Sequence, residues 1–238
     1  MSFRQDWQRV RAIAKKDLVA EMRGKAAFNS VAALGVTVLI LMGLALGPDA
    51  AAIRQAAAGA VWLAALFSTV LAFNRSFQVE LEGGALESLL LYPGPRWTIF
   101  AGKLLANLCF VLLVEAVLIP LAAILYDLPI WSVILPLSAV LILGTIGFVT
   151  LGTFYAAMAS RLRAREVLLP LLLFPMLIPL LVAAVQATGP ILDAERVDYS
   201  GDWLRLLVVY VVIFFIGALF AFEHIIEDQC VPPRFRIQ

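Results

Sequence analysis

The sequence predicts an all-α polytopic membrane protein with six transmembrane helices and both termini cytoplasmic. Composition is the first observation behind this: of 238 residues, 63% are apolar and only 15% charged, with a mean hydropathy of +0.96. A soluble domain carries about a quarter charged residues. Second, about half the chain lies in uncharged apolar runs near the ~20 residues that cross a bilayer. Third, the basic residues alternate in density between successive connections. A soluble enzyme core is excluded. The formal charge of +1 provides no broad basic surface, so nucleic acid is not expected as a partner.

The first element, residues 1–26, is expected to be an amphipathic cytoplasmic helix. Trp7, Val10, Ala14, Leu18 and Met22 recur at three- and four-residue steps, with Arg9, Lys16 and Arg23 elsewhere on the wheel, which suits a helix in the headgroup layer. The plainer reading is a positively charged topogenic tail. A cleavable signal does not fit, because the charged region is long and contains Asp6, Asp17 and Glu21.

The transmembrane domain, 27–222, divides into apolar spans at 27–47, 57–73, 98–126, 130–159, 166–187 and 203–222, followed by a cytoplasmic tail at 223–238. Lys and Arg in short loops stay cytoplasmic. Seven lie in the N-terminal stretch; Arg75, Arg96 and Lys103 border the second connection; Arg161, Arg163 and Arg165 form the fourth; Arg234 and Arg236 lie in the tail. Only Arg54, Arg196 and Arg205 fall on the other side. The acidic 189–202 stretch then becomes an external loop. Trp7, Trp97, Trp131 and Trp203 sit at span ends, as interfacial anchors do.

The most informative connection is the cytoplasmic segment 74–97. Phe77, Leu81, Leu86, Leu89 and Leu90 are apolar positions on either side of Gly83-Gly84, with Glu80, Glu82 and Glu87 facing elsewhere. Two short amphipathic pieces broken by the glycine pair and stopped by Pro93 and Pro95 would form a compact knob that a rigid partner could push; an ordinary re-entry loop is the alternative. Within the spans, Glu115 stands out, since an ionisable group there costs several kcal/mol unless paired, hydrated or neutral. It is expected to be protonated or hydrogen-bonded inside the bundle, with Asn107 within roughly 80° on the same helix, as a gating element or a packing contact. Pro170, Pro175 and Pro179 each remove a backbone hydrogen bond from the fifth span, making a hinge or a static kink beside Arg161, Arg163 and Arg165. Gly43-x-x-x-Gly47 and Gly152-x-x-x-Ala156 permit close helix contact or dimerisation.

The run Glu80-x-Glu82-Gly83-Gly84-x-Leu86-Glu87-x-Leu89-Leu90-x-x-Pro93, followed by Gly102-Lys103, resembles the loop between the second and third helices of ABC-2 type permeases. With Lys16-Asp17-Leu18-x-x-Glu21-x-Arg23, Asn74-Arg75-Ser76-Phe77 and the segment from Arg163 to Pro179, the chain is similar over nearly its whole length to the CcmB family, the haem exporter protein B of cytochrome c maturation. The resemblance implies that Phe77, Glu80, Leu81, Glu82, Gly83, Gly84, Leu86, Glu87, Leu89 and Leu90 couple to an ATPase. It also implies a homodimer with two copies of the ATPase CcmA, the partners CcmC and CcmD, the haem chaperone CcmE as a transient partner, and a bacterial inner-membrane location.

No G-x-x-x-x-G-K-[ST] motif is present: Gly94 and Gly102-Lys103 are too far apart and Leu104 stands where Ser or Thr is required. ATP and Mg²⁺ are therefore expected on the partner, and the chain is expected to be no enzyme. The single histidine, His224, and the cysteines Cys109 and Cys230 form no C-x-x-C-H or C-x-x-C pattern. No metal site and no bound cofactor are expected, with haem carried by partner proteins. The competing function is an ABC-2 permease exporting a glycan, lipid or drug; an ion-coupled secondary transporter would instead make Glu115 central.

Overall fold

A computed structural model describes residues 3–23, 25–82, 95, 97–159, 165–192 and 200–230. Among them are seven helices: α1 (Phe3–Arg23), α2 (Lys25–Leu46), α3 (Ala50–Glu82), α4 (Trp97–Tyr126), α5 (Ile134–Ala159), α6 (Arg165–Leu192) and α7 (Ser200–Cys230). No strand occurs among the described residues. The six helices α2 to α7 are each long and apolar enough to cross a membrane. The protein is thus an all-α polytopic membrane protein, and the even number of crossings returns both termini to one side.

The spans differ from the sequence reading at their ends, for local reasons. The second starts at Ala50 rather than 57, because Asp49 caps it: its Oδ1 accepts from the Ala51 amide at 2.9 Å. Arg54 and Gln55 end an apolar run without ending a helix. The fourth starts at Ile134 rather than 130, after a tight turn in which Asp127 takes a φ of 50° and Leu128 N donates to Ala123 O at 3.0 Å. The fifth runs on to Leu192 through Gly189-Pro190. It stays a single helix through Pro170, Pro175 and Pro179.

α3 is the most enclosed span and α2 and α7 the most open. α3 packs against α2, α4, α5 and α6; α5 against α3, α4, α6 and α7. Two glycines make the α3–α5 contact. The Trp62 ring lies so close to Gly144 that a Cβ there would fall 2.2 Å from it, and Phe73 would meet a Cβ at Gly152 at 1.9 Å. Both aromatic side chains are fully buried. Gly152-x-x-x-Ala156 thus serves packing inside one chain, where Ala156 is also buried. Gly47 plays another part: with φ at 70° it ends α2 in the left-handed conformation that glycine adopts without steric cost.

Polar side chains close the remaining gaps. Trp62 Nε1 donates to Thr188 Oγ1 at 2.9 Å, joining α3 to α6. Tyr126 Oη donates to Leu39 O at 2.6 Å, and Ser68 Oγ to Val31 O at 3.1 Å. At the outer side Arg54 Nη2 donates to Asp127 Oδ2 at 2.6 Å, tying the start of α3 to the end of α4. In hydrocarbon no water replaces the buried partners, so each of the three buried bonds fixes a helix pair in register.

Candidate coupling end and intramembrane polar seam

α3 continues unbroken beyond Phe73, the end of its apolar stretch, to Glu82. Those residues add about 13 Å at 1.5 Å each. Phe77, Glu80, Leu81 and Glu82 therefore lie on the helical backbone of α3, Phe77 and Leu81 one turn apart. The first of the two short pieces expected here is not a separate helix but the extension of the second span. Polar residues replace apolar ones at Asn74, yet no proline intervenes before Gly83, so only the solvent changes. Gly83, Gly84, Leu86, Glu87, Leu89 and Leu90 lie outside the described residues, as do Arg161 and Arg163. Arg165 opens α6.

The chain re-enters the bundle at a defined point. Thr98 Oγ1 donates to Pro95 O at 2.7 Å, and the Thr98 amide to the same carbonyl at 3.2 Å, which fixes the first turn of α4. α1 packs along α4 just inside that turn. A Cβ at Gly102 would lie 2.8 Å from Ile13 Cβ and 3.2 Å from the Val10 carbonyl, so only glycine admits α1 so closely. Beside it Lys103, 4% exposed, donates through Nζ to Asp17 Oδ2 at 3.4 Å, and Asp17 also pairs with Lys16 at 3.1 Å. The Gly102-Lys103 pair is thus the seat of the N-terminal helix. This divides the apolar face expected of α1: Val10 and Ala14 are buried, whereas Trp7 and Met22 are exposed. Lys103, read in the sequence as a cytoplasmic cation at the helix foot, is a buried partner of Asp17.

Deeper in the membrane, α4 and α5 run antiparallel and share two polar links. Asn107 Nδ2 donates to Thr153 Oγ1 at 3.0 Å. Thr145 Oγ1 lies 2.7 and 2.8 Å from the two carboxyl oxygens of Glu115 and 2.7 Å from Leu141 O. Eight residues separate the links on each helix, about 12 Å of rise, so both belong to one register. All four side chains are buried. Thr145, Thr153 and Thr188 carried no signal in the sequence, because a threonine in an apolar run is ordinary until its neighbour across the bundle is known.

On α6, Pro175 and Pro179 bracket a turn whose Met176 carbonyl accepts from Tyr210 Oη of α7. Tyr210 stacks on Phe214 at 4.3 Å between ring centroids. Pro170 lies on the first turns of α6. Pro120, inside α4, was not singled out in the sequence. His224 lies on the cytoplasmic end of α7.

Six crossing-competent helices, a central α3 that runs past its apolar stretch and a polar seam within the bundle define a multi-pass membrane protein. The family model for the CcmB protein matches residues 8–228. The chain is 33% identical over 173 residues to Heme exporter protein B of Rhodobacter capsulatus, covering 73% of this chain and 79% of that one. With Heme exporter protein B of Haemophilus influenzae it shares 33% over 195 residues, 80% of this chain and 85% of that one; with that of Paracoccus denitrificans, 32% over 179 residues, 75% and 81%. This chain belongs to the CcmB family.

Proposed function

We propose that the chain is the permease subunit of an ABC transporter serving cytochrome c maturation, a haem exporter subunit in a bacterial inner membrane. In this reading it works as a homodimer with two copies of a CcmA-like ATPase, beside CcmC and CcmD. It couples ATP hydrolysis on the ATPase to release of the haem-loaded chaperone CcmE from CcmC. Membership of the CcmB family and the names of its relatives support the haem-export setting. The observation that carries the coupling role is the unbroken α3, whose cytoplasmic end holds Phe77, Glu80, Leu81 and Glu82 and whose membrane part is wedged into α5 and α6.

A partner docked on 77–90 would push a helix that cannot yield locally, because Phe73 rests on Gly152 and Trp62 is held by Thr188. The displacement passes to α5 and α6, the helices on either side of the 160–164 connection. α1, seated on Gly102 and Lys103, steadies the adjoining start of α4. The chain performs no chemistry in this scheme. Its Tyr126 and Tyr210 hydroxyls donate to backbone carbonyls. Haem is carried by the partner proteins in this reading.

Charge reversal at Glu82→Lys with Glu87→Lys is expected to abolish copurification with the ATPase, or its stimulated activity, while leaving membrane insertion intact. A doubly reversed protein that still copurified with a fully active ATPase would overturn the docking assignment.

A further inference from the structure

We propose that the outward face of α1 is a docking surface for the anionic headgroups of the cytoplasmic leaflet. Steps of 100° per residue place Arg4, Trp7, Arg11, Lys15, Val19 and Met22 within an arc of about 120°, and all six are exposed. The acidic residues Asp6, Asp17 and Glu21 fall in a separate arc of about 60°, centred about 130° away, where each is partly buried. Asp17 is held there by Lys103 and Lys16, and Asp6 lies 3.9 Å from Arg9. A helix of mixed charge thus turns its acids toward α4 and shows cations interleaved with Trp, Val and Met to its surroundings.

Position selects the occupant. α1 rests on Gly102 and Lys103, five and six residues inside the start of α4, so it lies at the level where that span leaves the hydrocarbon. Cations beside large apolar side chains at that depth match an anionic lipid surface, with apolar groups entering the acyl boundary and cations meeting phosphates. Arg11 over the Trp7 ring, 5.7 Å from its centroid, joins both elements in one contact. A soluble acidic protein would meet the cations but leave Trp7, at 44% exposure, and Met22, at 46%, facing the headgroups unused.

The test is amide hydrogen exchange on the full-length protein in nanodiscs of phosphatidylcholine alone or mixed with phosphatidylglycerol. Each surface cation contributes roughly fivefold to partitioning onto an anionic leaflet, so three contribute on the order of a hundredfold. The α1 amides are expected to exchange at least about tenfold more slowly in the anionic discs, the difference shrinking at high salt. Arg4→Gln/Arg11→Gln/Lys15→Gln is expected to remove that difference, with protection in α4 reporting an intact bundle. Equal exchange of the unaltered protein in the two lipids overturns the proposal without recourse to any variant. Slowing that depends on added ATPase rather than on phosphatidylglycerol assigns the face to a protein and overturns it too.

Discussion

Gly144→Ala tests the closeness of the α3–α5 contact. The added methyl would lie 2.2 Å from Cη2 of Trp62, 2.8 Å from Cζ3 and 3.1 Å from Cζ2, where carbon atoms ordinarily stand about 3.5–4.0 Å apart. The indole cannot step aside. It is fully buried, its ring lies 5.5 Å from that of Phe148, and Nε1 is bonded to Thr188. Overpacking of this kind costs about 1–3 kcal/mol, and breaking the Thr188 bond adds roughly 0.6 kcal/mol. Reversible unfolding in mixed detergent micelles, followed by circular dichroism, is expected to show a loss of about 3 kcal/mol. Trp62→Leu alone leaves a cavity and costs up to about 3 kcal/mol. In the double variant the methyl enters the vacated space, so the combined loss should fall short of the sum by at least about 1 kcal/mol. Additivity within about 0.5 kcal/mol would refute the wedge.

Two further outcomes follow from the polar seam and the seat of α1. A double-mutant cycle of Glu115→Leu with Thr145→Val is expected to give a coupling of about 0.6–1.7 kcal/mol, as is one of Asn107→Leu with Thr153→Val. The crossed cycle of Glu115 with Thr153, about 12 Å apart along the seam, is expected near zero; equal coupling in all three would dissolve the register. Gly102→Val places a branched side chain against Ile13 and the Val10 carbonyl. Trypsin cleavage after Lys15 or Lys16 in detergent micelles should then quicken by roughly tenfold or more as α1 lifts away, at an overpacking cost of about 1–3 kcal/mol, and unchanged cleavage would contradict the docked position.

Six spans were legible because hydrocarbon imposes a length that a single sequence displays. Span ends were legible less well. Asp49 and the turn at Asp127 govern where helices begin and stop, independently of where apolarity does. Glu115 and Asn107 were visible as polar residues in apolar runs, but Thr145 and Thr153 were not, since their identity as partners depends on the antiparallel register of α4 and α5. Trp62, the one tryptophan away from the span ends in the sequence reading, is the central packing residue. The amphipathic character of α1 was readable and its direction was not. Periodicity grouped Val10 with Trp7, whereas the buried ion pair between Asp17 and Lys103 turns the helix so that they part. The motif from Glu80 was legible in the sequence, and the continuity of residues 74–82 with α3 follows from the lack of a breaker before Gly83.

The seating of Phe73 on Gly152 falls near the middle of the stretch of α3 that would carry motion in the proposed coupling role. About 13 Å of helix extends from it to Glu82 and about 16 Å to Trp62. A stiff rod tilting about that aromatic fulcrum has nearly equal arms, so a sideways step at the cytosolic tip reappears, reversed in direction and slightly enlarged, beneath the tryptophan. Under the proposed coupling, such a rocker would pass on a stroke of nearly the size delivered to it.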